Sequence, residues 1–381
     1  MATAPSFTES TELLLNDLLM RICAEVQLDD GRHQHAERSY LAVAKLLEEH
    51  PLVRGLDPTM YPQGSMQLGT TAKPLAGEEF DLDFVSQFSC DAQYFASPVQ
   101  ALDVVEKALK SSDAYKNMVE RKNRCIRLNY QHRFHLDILP ACRDSEKGGT
   151  CIWVPDRRLV QWTPSNPKGF ASWFDGRARQ STARRFFDKA EPLPPKLEAP
   201  QKSPLKLAIQ LLKRRRDIRH KSSPGLAPVS IVLTALAGEQ YNGDQSISSA
   251  LGSILSGISD RIRSEHPRVV VLNPTNRDED LSERWDLKPA AYQSFVDGVK
   301  EFDSHWKLLL QTRGIDKIAQ QLERMFGEDV AKRTIENQAR EIEAARRRNA
   351  LSVKKGSGVL TVAAGSAVVP VRPNTFHGTK T

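Results

Sequence analysis

The chain has 381 residues, of which 40% are hydrophobic and 27% charged, as expected for a globular protein with room for two domains. No apolar run is long enough to span a membrane, and the N-terminus lacks the basic start of a secretory signal. The five cysteines, an odd number, favour reduced thiols, so we expect a cytoplasmic protein without a membrane partner. The net charge of +7 favours polyanionic partners such as nucleotides or nucleic acid.

The first half of the chain mixes predicted helices and strands. Its apolar periodicity predicts helices over 10–29, 35–50 and 98–115, a strand over 83–88 and a hairpin over 124–142. This mixture indicates an α+β domain built around a small sheet.

A proline-rich segment, "PLPPKLEAPQKSP" (192–204), separates this half from a mostly helical one, because prolines at this density prevent regular structure. Downstream helices are predicted over 204–220, 228–241, 246–264, 290–312 and 315–348. The segment 352–381 has no Asp or Glu and no helical stripe. We therefore predict a domain over 1–200, a helical lobe over 201–350 and a flexible tail over 351–381.

Carboxylates interrupt two predicted strands. In "FDLDFV", Asp81 and Asp83 share one strand face, and Asp137 occupies a similar position in "HLDIL". If the two strands are neighbours, three acids converge, which is costly unless cations neutralise them. Mg²⁺ prefers such oxygen ligands, and two ions about 3.5–4 Å apart could activate a hydroxyl and stabilise a leaving pyrophosphate.

A Gly-Ser pair precedes these acids. Gly64 lets the backbone approach a phosphate closely, and Ser65 offers a hydroxyl and an amide. If "SMQLG" opens a helical turn, its free N–H groups favour an anion further. A Gly-Ser turn is usually only a turn, and Asp-x-Asp often occurs by chance. The combination and its spacing favour a nucleotide site.

The basic segment 206–221 is a candidate phosphate-binding region. Most charge runs are solvated helix faces. Here Leu205, Ile209 and Leu212 form an apolar stripe that anchors the helix, so only part of the basic cluster can face bulk water. The rest could border a phosphate site.

These residues resemble a known family. Gly64-Ser65, followed by Asp81-x-Asp83 and then Asp137, resembles the signature of DNA polymerase beta-type nucleotidyltransferases. The stretches "QGSMQLGTTAKPL" and "FDLDFV" are similar to the cGAS/DncV-like nucleotidyltransferases (CD-NTases) of bacterial anti-phage signalling. The resemblance covers roughly residues 10–320.

The resemblance implies a bilobed α+β fold. A nucleotidyltransferase palm with a small mixed sheet would pack on a C-terminal helical bundle like that of oligoadenylate synthetase, with the active site in the cleft. It also implies Mg²⁺-dependent synthesis of a cyclic di- or trinucleotide from NTPs, ATP among them. Two Mg²⁺ ions are expected, with Mn²⁺ as a substitute.

The resemblance also implies roles for individual residues. Asp81 and Asp83 would hold both metals, and Asp137 would bind the metal that activates the attacking ribose hydroxyl. Gly64 and Ser65 would cradle the donor triphosphate. A lysine of the helical lobe would reach the phosphates; the candidates are Lys213 and, as the weaker one, Lys206.

Related systems suggest partners for the tail. There the C-terminus is handled by ubiquitin-transfer-like proteins or bound by HORMA proteins, so "PNTFHGTKT" (373–381) is a candidate handle. The cysteines offer no counterpart of the zinc-binding insertion of cGAS, so the sequence does not support activation by nucleic acid.

Two alternative functions stay open at this point. One is transfer of a nucleoside monophosphate to an RNA end or a protein, which would use the same metals. The other is a non-catalytic, basic nucleic-acid-binding pseudoenzyme. Three acids argue against the second, because they would repel phosphate without metal.

Overall fold

The computed structural model describes residues 7–131, 133–179, 190–354, 360–361 and 368–371. The helices are α1 (Phe7–Glu25), α2 (Asp30–Glu49), α3 (Pro51–Arg54), α4 (Gly64–Leu68), α5 (Pro98–Lys110), α6 (Pro167–Ala178), α7 (Pro204–His220), α8 (Ser230–Gln240), α9 (Ile247–Ser264), α10 (Arg284–Leu287), α11 (Pro289–Gln311), α12 (Ile315–Phe326) and α13 (Glu328–Arg347). The strands are β1 (Thr59–Gln63), β2 (Phe80–Asp91), β3 (Val119–Arg121), β4 (Ile126–Tyr130), β5 (Phe134–Arg143), β6 (Ile152–Asp156), β7 (Gln161–Ser165), β8 (Leu272–Asn273), β9 (Asn276–Asp280), β10 (Ser352–Lys354), β11 (Leu360–Thr361) and β12 (Val368–Pro370). Over these residues, no helix combines the length and apolar character needed to cross a membrane.

A mixed sheet forms the palm, as the α+β prediction required. Its main order is β1-β2-β5-β4-β3, and β6 and β7 extend it from the end of β5. β2 pairs antiparallel with β1 but parallel with β5, and β4 returns antiparallel along β5. The parallel pair needs a crossover, which α5 provides. The predicted hairpin over 124–142 is the β4–β5 pair.

One face of β2 is apolar and the other carries the acids. Phe80, Leu82 and Phe84 are buried in a core shared with α2 and α5. Because side chains alternate along a strand, Asp81 and Asp83 lie on the opposite face. The burial of three large side chains on the core face fixes the register of β2 and hence the position of both acids.

α7 lies at the centre of the helical lobe, in contact with α1, α8, α9 and α12. Ser203 caps its start, accepting from the Lys206 amide, and Pro204 occupies its first turn. Residues 205–215 are buried, the basic ones included. The sequence predicted that only one apolar face of this helix would be buried, whereas this part of the helix is buried on all sides.

The hydrophobic core does not divide at residue 200, where the sequence predicted a domain boundary. α1 packs into the helical core through Leu18, Leu19 and Ile22, each with 0% exposed surface. α6 joins the same core through Phe170 and Phe174. Two segments from the N-terminal half thus complete the helical lobe, because their apolar side chains are buried in its core.

Two predictions near the C-terminus differ from the structure. The helix expected over 315–348 is two helices, since Gly327, with φ +96°, ends α12 before α13 begins. The tail was expected to be flexible, but its described residues form a small sheet in which β10 pairs antiparallel with both β11 and β12. Leu351 and Ser352 are buried at the start of this small sheet. The candidate handle at 373–381 lies outside the described residues.

Candidate active site

The sheet brings the three predicted acids to one face. In the parallel β2–β5 pair, Asp83 lies opposite Asp137, and Asp81 lies two residues earlier on β2. The side chain of Asp137 is 14% exposed and that of Asp81 54% exposed. The cluster therefore runs from a half-buried end at Asp83 and Asp137 to an open end at Asp81.

Two basic side chains contact the cluster. Arg127 lies opposite Asp137 in the β4–β5 pair. Its Nε and Nη2 each donate to one oxygen of Asp137 at 2.7 Å, and Nη2 also reaches Oδ1 of Asp81 at 3.0 Å. His135 lies 3.2 Å from the same Asp81 oxygen through Nδ1 and 2.7 Å from Glu79 through Nε2. Arg127 thus bridges two of the three acids.

Asp83 has no ion-pair partner of its own among the described residues. Burial raises the pKa of this carboxyl to about 8, and the charges of Asp137 and Asp81 add to the effect against the opposing charges of Arg127 and Lys213. The ionised form is therefore costly unless more positive charge reaches the site.

Carboxylate oxygens and uncompensated negative charge match what Mg²⁺ requires of a protein site. Within the described ranges, no group of three or more His, Cys, Asp or Glu side chains is already arranged around a common metal position. One reason is visible: Arg127 engages both oxygens of Asp137. The residues fit a divalent ion in donor type and charge, but their arrangement is not preformed.

The Gly-Ser pair begins α4, directly against the cluster. Gly64 has φ +64°, and a Cβ added there would lie 2.5 Å from Oδ2 of Asp83. Glycine is thus required both by the backbone conformation and by the approach of the carboxylate. Thr71 donates to Oγ of Ser65 at 3.1 Å, so the loop after α4 folds back on its first turn.

Lys213 reaches the cleft next to this loop. Its Nζ donates to the Thr70 carbonyl at 3.2 Å and to the Thr70 hydroxyl at 2.9 Å. Burial lowers the pKa of Lys213 to about 7, and the nearby charge of Arg216 adds to this. A negative ligand nearby would favour the charged ammonium of Lys213.

The weaker lysine candidate lies elsewhere. Lys206 is 1% exposed, and its Nζ is 3.6 Å from Oδ1 of Asp175 on α6. It borders a separate, small cavity beside Gly69 and does not line the cleft. Lys206 therefore joins α7 to α6, and we do not retain it as a phosphate ligand.

A cleft of about 570 Å³ lies between the sheet and the helical lobe. This volume is within the usual range of small-molecule sites. The palm contributes Gly64, Ser65, Asp81 and Asp83, and the lobe contributes Lys213, Arg216, Asp217, Ser230, Ile231, Thr234 and Arg284, together with the turn before α8.

Several lobe residues in this cleft were not predicted from the sequence. Arg216 belongs to the basic segment and pairs with Asp217, with Nε and Nη2 at 2.8 and 2.6 Å from Oδ1. Ser230 and Arg284 were not singled out from the sequence. By contrast, Arg214 and Arg215 of the same basic run donate to the carbonyls of Phe326 and Arg324 and hold α12 in place.

The sequence of this chain is similar to those of known proteins. Residues 14–177 match the family model of the Second Messenger Oligonucleotide or Dinucleotide Synthetase (SMODS) domain. The chain is 33% identical to the c-di-GMP synthase of Roseivirga ehrenbergii over 376 residues, covering 97% of this chain and 99% of the relative. It is 30% identical to the cyclic dinucleotide synthase CdnG of Bradyrhizobium diazoefficiens over 302 residues, covering 71% of this chain and 70% of the relative.

Solved structures are similar to this chain as well. CdnG of B. diazoefficiens in complex with GTP superposes with a TM-score of 0.70 at 26% identity, covering 85% of this chain and 98% of that chain. The Escherichia coli CdnC–HORMA complex superposes with a TM-score of 0.58, covering 82% of this chain and 96% of that chain. At 14% identity, the second comparison shows a shared fold alone.

Proposed function

Since the chain belongs to the cGAS/DncV-like nucleotidyltransferase (CD-NTase) family, we propose that it joins two NTPs into a cyclic dinucleotide and releases pyrophosphate. The observation that carries this proposal is the β2–β5 register, which gathers Asp81, Asp83 and Asp137 on one face beside the start of α4. The names of the two curated relatives favour a ring of two nucleotides over a ring of three. GTP is the first candidate substrate, because one relative is named for c-di-GMP and the other is known in complex with GTP.

The three acids would hold two Mg²⁺ ions, or Mn²⁺ in their place. When bound, these ions supply the positive charge that activates a ribose hydroxyl and stabilises the leaving pyrophosphate. In each of two steps, a ribose hydroxyl loses its proton to solvent and its oxygen bonds to the α-phosphorus of the other nucleotide. The bond from that phosphorus to the β-phosphate bridging oxygen breaks, and pyrophosphate leaves. The second step closes the ring.

The donor triphosphate would lie along α4 and Lys213. Gly64 allows close approach of the backbone, and the amide of Ser65 is free of helical bonding in the first turn. Lys213 lines the same cleft from the opposite lobe, so the phosphates would connect palm and lobe. This contact would orient the α-phosphate toward the acids.

We further propose that the product is a second messenger of bacterial anti-phage (CBASS) signalling in the cytoplasm. The support is family membership. The HORMA protein in the E. coli CdnC complex is a partner of that protein, and at 14% identity the comparison does not extend the partner to this chain.

The acids are tested by the double variant Asp81→Asn, Asp83→Asn. We expect pyrophosphate release from NTPs in Mg²⁺ to fall at least about 1,000-fold, because removing preorganised charge stabilisation commonly costs this much. Asp113→Asn is the control, since the Asp113 side chain is 96% exposed and pairs only with Lys116 among the described residues. Turnover retained by the double variant would show that the acids are not the metal ligands.

Product analysis separates this proposal from its alternatives. The protein is incubated with all four NTPs and Mg²⁺ or Mn²⁺, and small products are identified by mass spectrometry after phosphatase treatment. A phosphatase-resistant cyclic dinucleotide supports the proposal. Labelled RNA or labelled protein would support transfer to a macromolecular acceptor. RNA binding that is insensitive to Mg²⁺, without NTP turnover, would support the pseudoenzyme.

A further inference from the structure

Arg127 occupies the centre of the acidic cluster. Its guanidinium donates to both oxygens of Asp137 and to Oδ1 of Asp81, at distances of 2.7, 2.7 and 3.0 Å. The side chain is 18% exposed, so bulk water screens these contacts only in part. A bidentate guanidinium–carboxylate pair is among the strongest charge-assisted contacts in proteins.

The charges around this arginine are unbalanced. Three carboxylates face the guanidinium of Arg127, and Lys213 opposes the charge of Asp83 only at longer range. Arg127 therefore supplies positive charge in direct contact with two of the three acids, and it would repel a divalent ion that binds there.

We propose that Arg127 is the counter-ion of the acidic cluster in the metal-free protein and must release Asp137 before this carboxylate binds a divalent ion. The inference rests on the proposed metal function of the three acids. Its physical basis is competition: both oxygens of Asp137 are already engaged, and a guanidinium within hydrogen-bond distance would repel an incoming cation. Arg127 thus stabilises the protein without metal and weakens its affinity for metal.

The test is the variant Arg127→Gln, which removes the charge while keeping a polar side chain. Without nucleotide, we expect Mn²⁺, followed by electron paramagnetic resonance, to bind about tenfold more tightly than to the unsubstituted protein, in the usual range of coupling between two sites. In EDTA, the midpoint of thermal unfolding should fall, because Asp137 loses its partner. Added Mn²⁺ should raise this midpoint more in the variant than in the unsubstituted protein.

Arg121→Gln is the matched control. Arg121 lies on the neighbouring strand β3 and pairs with Asp103 and Glu106 of α5, outside the cleft. Its loss should lower the unfolding midpoint without changing the dissociation constant for Mn²⁺. An increase in Mn²⁺ affinity equal to that of Arg127→Gln would overturn the proposal, because it would reflect only the loss of net positive charge.

A second variant keeps the test decisive if Arg127→Gln does not fold. Arg127→Lys retains the charge but lacks the planar fork that donates one hydrogen bond to each oxygen of Asp137. Tighter Mn²⁺ binding by this variant supports the proposal, and unchanged or weaker binding by a folded variant overturns it. If the unsubstituted protein bound no Mn²⁺ with or without GTP, the proposed metal function itself would fail, which is a separate result.

Discussion

At the scale of single residues, Gly64 shows how one position can serve both the fold and the site. The backbone there has φ +64°, and the Cα faces Oδ2 of Asp83 so closely that a methyl group would clash with it. A sequence can suggest the positive φ, since Gly-Ser in a turn-rich segment favours it. The close approach of the Asp83 carboxylate arises only when α4 packs against β2.

A pair of glycine variants separates the two requirements. Gly64→Ala should lower the free energy of unfolding by about 1–2 kcal/mol, the cost of a left-handed conformation. It should also reduce NTP turnover about 100-fold, because it displaces Asp83. Gly77→Ala is the control: it has φ +86°, but no heavy atom lies within 4 Å of its added Cβ.

We expect Gly77→Ala to lose similar stability and to keep its turnover per folded molecule. Urea denaturation measures the loss of stability of each variant, and a separate assay of NTP turnover measures the loss of activity. Equal turnover in both variants would show that the contact between Gly64 and Asp83 has no catalytic consequence.

At the scale of elements, the sequence predicted most of the long helices. It did not predict the short helices or α6, which lies in the N-terminal half but packs into the helical core. The predictions over 204–220 and 246–264 agree closely with α7 and α9, because both have strong caps and apolar faces. α6 was not among the helices predicted from the sequence. The Asn166 side chain accepts from the Gly169 amide and starts the helix.

The position of α1 yields a prediction at this scale. Leu18 on α1 is 0% exposed in the helical core, whereas Leu13 on the same helix is 39% exposed. Leu18→Ala should lower the free energy of unfolding by about 2–5 kcal/mol because it leaves a cavity. Leu13→Ala should change it by less than about 0.5 kcal/mol.

Urea denaturation of both variants checks this expectation. If two transitions are resolved, Leu18→Ala should shift the one that belongs to the helical lobe. Equal effects of the two substitutions would contradict the assignment of α1 to this core.

At the scale of the whole molecule, the cleft depends on both lobes. The palm carries the acids and the start of α4, and the lobe carries Lys213 and Arg284. Ion pairs also join the palm to the lobe: the Arg124 guanidinium lies 2.9 Å from Asp156 on β6 and 2.7 Å from Glu283 before α10. A nucleotide bound between the lobes would therefore contact residues of both lobes whose relative positions are already set.

The tail yields the prediction at this scale. Because β12 pairs with β10 next to the buried Leu351, a truncation at 352 would also remove a folded sheet. Deletion of 372–381 avoids this and tests only the candidate handle that the sequence analysis placed at 373–381. We expect NTP turnover to stay unchanged and protection of host cells against phage, measured by plaque assay, to be lost. Unchanged protection against phage would show that these residues are not a handle needed for that protection.

The sequence by itself determined the local arrangement of this protein. Strand alternation places Asp81 and Asp83 on one face, and helical periodicity predicts α7, because both depend on neighbouring residues alone. The tertiary structure decided which residues meet. Lys206 and Lys213 are seven residues apart and share a helix face, so only packing shows which turn borders the cleft. The register of β4 and β5 places Arg127 opposite Asp137, and burial of its apolar side chains places α1 in the helical lobe. Both depend on contacts between residues far apart in the sequence, which no local pattern specifies.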